Sequence, residues 1–319
     1  MHKATALPHP RHGGRTLGER AQALLQFRYL ALLTVVATYG LIVIGGTVRA
    51  TDSGTACPDW PLCHGQVVPP LETKVLIEFS HRLAASLIGF MIAGTAFVIW
   101  RNHRQEKPLL RAGVAALAIL AVQVIVGGVT VGTETAAGIV AVHLTIALSL
   151  LATLIFIAVW AFRADAAARP MSWNLGVVPL AAAIGSLALI ISGAFVSQTG
   201  AGLAYPDWPL FDGKLVSAGG RLADLHYLHR IVAGVVGLLV LAYAVRVLRS
   251  DSPPVLLLAV AGAFVLYAVQ VLVGASNVWL ELPTSLRIVH LALASALWAV
   301  LAFTVIWAYQ NGVRLKDTR

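Results

Sequence analysis

The chain has 319 residues, 58% of them hydrophobic and only 12% charged, about half the charge of an ordinary soluble protein. Too little polar surface remains to cover a water-soluble globule, so a soluble enzyme is excluded. The 23 basic residues outnumber the 14 acidic ones, for a net charge of +9. In so apolar a chain this reflects Lys and Arg collected in cytoplasmic loops, and implies no nucleic-acid partner.

Within an N-terminal segment 1–28, Met1 to Arg20 is polar and basic, without the apolar core of a cleavable signal peptide. Eight apolar runs of about 20 residues, the length that crosses the hydrocarbon, follow it. Tyr29–Val48 is the first, and Leu83–Trp100 the second, with a polar approach beginning near Glu78. Ala112–Thr133 and Thr135–Phe162 are the third and fourth, and a linker at 163–173 follows. The fifth lies within Met171–Ser197, and the sixth runs from about Leu225 to Val245 with Arg230 near its start. The seventh lies within Ser252–Leu280 and the eighth covers Ile288–Tyr309, leaving a tail at 310–319. An even number of spans puts both termini on one side. The termini and the turns on their side hold 16 basic and 5 acidic residues, against 7 and 9 in the remaining segments. That bias predicts cytoplasmic termini in the cell membrane, with the long loops Ala50–Lys74 and Gln198–Asp224 facing outward.

The chain repeats itself. Pro58-Asp59-Trp60-Pro61-Leu62 returns as Pro206-Asp207-Trp208-Pro209-Leu210, and His81-Arg82 as His229-Arg230, both at an offset of 148. Gln123-Val124-Ile125-Val126-Gly127 returns as Gln270-Val271-Leu272-Val273-Gly274, and His143 as His290, at 147. Four matches in one order imply a duplication. The predicted fold is an all-α integral membrane protein, eight transmembrane helices in two tandem, pseudo-twofold-related four-helix bundles. These cover 29–162 and 174–309.

Five of the ten histidines, His2, His9, His12, His64 and His103, lie in polar segments and read as solvated. The other five, His81, His143, His226, His229 and His290, lie in or at the outer ends of spans, where an ionisable group is costly and usually functional. His81 and His143 stand at similar depth, roughly 9 Å in, and His229 and His290 repeat the arrangement. Two imidazoles at one depth on different helices suit the two axial positions of a haem. Structural zinc would want four close ligands, and each half offers two. Arg82 and Arg230, next to the ligand candidates, are candidates for pairing with haem propionates. Snorkelling at a helix end is the plainer alternative. Gly45-Gly46, Gly127-Gly128 and Gly193 read as small-residue packing positions that also allow a macrocycle near the backbone. Trp60 and Trp208 read as interfacial residues in turns that cap each bundle.

The halves differ in two places. Glu78 lies three residues before His81 on the same helical face, where the second half has His226. A carboxylate there suits proton transfer or stabilisation of a cation, and it also suits an i,i+4 pair with Arg82. Cys57 and Cys63 flank the first Pro-Asp-Trp-Pro-Leu turn only, and Phe211 stands near the place of Cys63. An outward pair at this spacing can close a disulfide, structural or redox-active.

These motifs resemble the haem A synthase family. The carriers are Glu78-Phe79-Ser80-His81-Arg82, His143, His226-Tyr227-Leu228-His229-Arg230, His290 and the loop Cys57–Cys63, and the likeness runs from about Tyr29 to Tyr309. The aspartate-rich motifs of haem O synthase are absent from the sequence. The resemblance implies oxidation of the C8 methyl of haem O to the formyl of haem A for terminal oxidases. It implies that His81 and His143 hold the substrate haem O, that His229 and His290 hold a resident haem b, and that Glu78 is catalytic. Cys57 and Cys63 match a loop pair of many members, although the second loop's pair found in some is missing. The implied partners are haem O synthase, terminal oxidase assembly factors, membrane lipid and an electron donor that the sequence does not name. A di-haem b-type cytochrome exchanging electrons with quinone would use the same four histidines without a functional difference between halves. A proton-coupled transporter would need no haem.

Overall fold

The computed structural model describes residues 17–163, 176–217 and 219–313. His2, His9, His12, most of the 163–173 linker and the end of the 310–319 tail lie outside the described residues. Among the described residues the fold consists of eight α-helices, α1 (Leu17–Ala50), α2 (Thr73–Asn102), α3 (Lys107–Gly132), α4 (Ala137–Phe162), α5 (Val177–Thr199), α6 (Arg221–Leu248), α7 (Pro254–Trp279) and α8 (Thr284–Gln310), with one short 3-10 turn at Ala201–Leu203. Each α-helix contains a stretch long and apolar enough to cross a membrane. Among the described residues no strand forms, and a helix satisfies its own backbone groups, as a lipid environment demands.

Two helices start well before the apolar runs that announced them. α1 begins at Leu17, ahead of its apolar run at Tyr29, and α2 at Thr73, ahead of its apolar run at Leu83 and close to the polar approach near Glu78. Hydropathy marks only the part of a helix that faces lipid, whereas the hydrogen-bond ladder continues through polar residues. In α2 those early polar turns carry Glu78, His81 and Arg82, and Glu78 is buried.

In the first half α1 packs on α2, α2 on α3 and α3 on α4, and α4 returns to α1. Helices α5 to α8 close in the same order, with α8 returning to α5. Consequently α2 stands diagonally across from α4, and α6 across from α8. One apolar cluster fills α1–α4 around Ile92, Ile99 and Leu154, and another fills α5–α8 around Val240, Tyr243 and Leu301. A third, with Ile42, Leu148, Leu151 and Trp298, lies on the seam where α1 and α4 meet α5 and α8. Polar contacts pin that seam. Tyr39 Oη donates to the Ala292 carbonyl (3.0 Å), Gln310 to that of Phe156 (2.9 Å), and Arg287 to that of Ala50 (3.2 Å). Such interhelical bonds are worth about 0.6 kcal/mol each in membrane proteins. Large apolar side chains such as Phe90 and Leu258, 77% and 75% exposed, cover the outside and suit lipid.

Candidate active site

Each long loop folds back on the helix that follows it. Asp59 accepts hydrogen bonds from the backbone N–H groups of His64 (2.6 Å) and Gly65 (2.8 Å), and Asp207 from those of Asp212 (2.7 Å) and Gly213 (2.9 Å). Positive φ at His64 and Gly65, and again at Asp212 and Gly213, turns these amides inward. The bond from Gly65 foremost, with that from His64, holds Asp59 below the usual carboxylate range, and Gly213 and Asp212 do the same for Asp207. A depressed value means the clamp is intact at neutral pH and lost only as acid takes the carboxylate through that lowered value.

An arginine latches the turn to the helix. Arg82 Nη1 donates to the carbonyls of Asp59 (2.6 Å) and Leu62 (2.7 Å), Nη2 to that of Cys57 (3.0 Å), and Nε to Glu78 Oε1 (2.8 Å). Arg230 repeats the pattern on Asp207 (2.9 Å), Leu210 (2.9 Å) and Tyr205 (3.4 Å), with Nε donating to His226 Nε2 (3.0 Å). In this arrangement both guanidinium groups, the candidates for pairing with propionates, are engaged by their own loop. Four of the five N–H donors of each fork are already engaged, so no bidentate face remains. The i,i+4 pair of Glu78 with Arg82 is present, and the Glu78 side chain is only 7% exposed.

Beneath the loops the four repeated histidines are half-buried. His81 on α2 and His143 on α4 lie on diagonally opposed helices of the first half, and His229 on α6 and His290 on α8 on those of the second. Of the glycines marked as packing positions, Gly45, Gly127 and Gly193 lie against these rings, whereas Gly46 meets Leu291 and Gly128 meets Trp60. A Cβ on Gly45 would stand 3.2 Å from His81 Cε1, and one on Gly127 3.3 Å from His143 Cε1. Gly193 and Gly274 meet His229 and His290 at 3.0 and 3.1 Å in the same way. The amide nitrogen of Gln123 lies 3.2 Å from His143 Nε2, and that of Gln270 lies 3.4 Å from His290 Nε2. A bond donated by either amide would occupy the Nε2 lone pair, so the glutamine would have to give way for that nitrogen to bind iron. Nδ1 of His81, His143 and His290 is buried without a hydrogen-bond partner, whereas that of His229 meets Ser192 Oγ at 2.8 Å.

These residues fit a haem in each half. Each half brings together one imidazole pair on diagonally opposed helices and glycines that keep side chains off the rings. No group of three or more His, Cys, Asp or Glu able to hold a metal ion occurs among the described residues, which disfavours a zinc cluster.

The asymmetries sit directly above the pairs. Cys57 and Cys63 form a disulfide with Cα atoms 4.7 Å apart, packed against Val75 and Phe79. Both cysteines are buried, at 0% and 1% exposure, although their loop is at the surface. Tyr205 and Phe211 occupy the matching positions, with ring centroids 5.2 Å apart. Trp60 lies over Gly128 on α3, while Trp208 packs edge-on against Trp279 on α7, so both turns do cap their halves. His64 contacts the Ala56 carbonyl and stays exposed, whereas His103 is drawn into contacts with Phe27 and Glu106. Sequence reasoning missed the glutamines, Ser192 and the Asp59 and Asp207 clamps. The repeated Gln-Val-Xaa-Val-Gly and Pro-Asp-Trp-Pro blocks contained most of them.

The bridge has a direct test. Cys57 and Cys63 are expected to resist alkylation in freshly prepared, denatured membranes until reductant is added. Denaturation is essential because burial alone would shield free thiols. Complete labelling without reductant would contradict the bridge.

Comparison with known proteins places this geometry. The model of the cytochrome oxidase assembly protein family (COX15-CtaA) matches residues 28–302. Heme A synthase of Geobacillus thermodenitrificans is 28% identical over 305 residues, 89% of this chain and 92% of that protein. Those of Alkalihalophilus pseudofirmus (28%, covering 86% and 95%) and an Exiguobacterium species (27%, covering 90% and 98%) are similar to the same extent. With eight membrane-length helices and a family match along most of its length, this multi-pass membrane protein belongs to the cytochrome oxidase assembly family of the haem A synthases.

Proposed function

We propose that the chain is a haem A synthase that oxidises the C8 methyl group of haem O to the formyl group of haem A. The observation that carries this reading is a difference within a repeat. Both halves hold a diagonal imidazole pair, and only the first sets a buried carboxylate, Glu78, one turn from a histidine of that pair. His81 and His143 hold the substrate haem O, and His229 and His290 hold haem b. Bound there, haem b supplies one-electron transfer.

The remaining work falls to the chain. With dioxygen as oxidant and oxygen source, and electrons from a donor, the methyl carbon exchanges hydrogen for oxygen and the surplus oxygen leaves as water. Glu78 takes up the proton that leaves the carbon and stabilises positive charge as it develops. Arg82 fixes one carboxylate oxygen, leaving Oε2 for that task. The disulfide-closed loop, latched by Arg82 and carrying Trp60 over α3, covers the outer end and keeps bulk water away. The four-helix units are 29–162 and 174–309, joined by the 163–173 linker. Haem O synthase supplies the substrate, terminal oxidase assembly factors receive the product, and a separate electron donor completes the cycle in the lipid bilayer.

Co-expression with haem O synthase, followed by pigment extraction, tests the reading. Haem A is expected only when both proteins are present, and haem O alone would overturn it. Both termini are cytoplasmic in this account, on the charge bias of the loops. A cytoplasm-dependent reporter fused after Arg319 should therefore be active, and activity of an export-dependent reporter alone would contradict that.

A further inference from the structure

The clearest fourfold feature of the molecule lies outside the ligand set. Every candidate ligand ring leans on a glycine of the preceding helix: Gly45 on α1 for His81, Gly127 on α3 for His143, Gly193 on α5 for His229 and Gly274 on α7 for His290. In each case Cε1 is the nearest atom, 3.0–3.3 Å from where a Cβ would stand. A methyl group there forces the ring to move by a few tenths of an ångström. Metal-bound histidines are usually oriented by a hydrogen bond from the other ring nitrogen. Here Nδ1 of His81, His143 and His290 is buried and has no such partner, and only His229 has one, in Ser192. No one hydrogen bond is shared by the four rings, whereas the glycine contact at Cε1 is common to all of them.

We propose that Gly45, Gly127, Gly193 and Gly274 are positioning residues, which set the ring orientation of the four axial histidines by presenting bare helix backbone to their Cε1 edges. The inference rests on the reading of those histidines as haem ligands. Ring orientation tunes an iron centre through the axial bond, so the glycines act on the spectrum and potential of the haem without touching it.

All four glycines lie inside regular helices, where alanine suits the backbone. Gly262 on α7 and Gly40 on α1 also lie inside helices but have open space where a Cβ would go. Purified full-length Gly193→Ala, Gly274→Ala and Gly262→Ala proteins are compared with the parent by haem content, low-spin EPR g-values and midpoint potential. The expected result is shifted g-values and potential in Gly193→Ala and Gly274→Ala, and parental values in Gly262→Ala. Gly45→Ala against Gly40→Ala repeats the test on the first pair. Loss of haem from Gly193→Ala and Gly274→Ala, with helical content intact and Gly262→Ala loaded, also supports the proposal. Parental values in the two loaded variants, or the same change in Gly262→Ala, overturn it. A parent without any bis-imidazole haem signal would instead sink the ligand assignment on which the proposal rests.

Discussion

Glu78→Gln is expected to fold, keep haem b and make essentially no haem A, accumulating haem O or a hydroxylated form of it. The substitution retains an oxygen for Arg82 Nε, so the latch on the Asp59, Leu62 and Cys57 carbonyls survives. The second half shows that a neutral acceptor suffices for this structural role, since His226 Nε2 takes the same bond from Arg230 Nε. What the change removes is charge and basicity alone. Loss of a positioned general base typically lowers a rate by about 10²–10⁴-fold. Glu78→His, which copies the second half, should keep the latch and lose the activity in the same way. Haem A formation at the parental rate in Glu78→Gln would leave the carboxylate with the latch as its whole role.

Removing a ligand should have the other large effect, of a different kind in each half. His229→Ala or His290→Ala leaves one imidazole where two are needed, and the stably bound haem b is expected to be lost or to turn high-spin. His81→Ala and His143→Ala should spare that haem and abolish haem A formation, because those rings hold the substrate. Reduced-minus-oxidised spectra of the purified variants, read beside extracted pigments, separate the two outcomes. Full haem content and activity in all four variants would refute the ligand assignment.

Much of this was legible from residue types at fixed spacing. The duplication placed His81, His143, His229 and His290 as two pairs before any coordinates, because an offset near 148 carries register as well as identity. The early turns of α2 do not show in apolarity, which reports lipid contact, and were legible instead from the spacing of Glu78, His81 and Arg82 on one helical face. The pair of Arg82 with Glu78 was legible from the i,i+4 spacing, but its latch on the loop was not, because the partners are backbone carbonyls, which leave no mark on the sequence. The glycines were visible as small residues, yet which ring each would meet depends on interhelical register. The offset that pairs Cys63 with Phe211 also pairs Cys57 with Tyr205, so the aromatic substitute for the disulfide could have been read directly.

The central claim is that two similar halves perform unlike tasks, and pigment extracted from paired double variants tests it most directly. The His81→Ala/His143→Ala protein and the His229→Ala/His290→Ala protein are each co-expressed with haem O synthase, purified and analysed for haems b, O and A. The account predicts haem b without haem A in the first protein and little or no haem b in the second. Equal retention of haem b by both proteins, or haem A in the first, would contradict it.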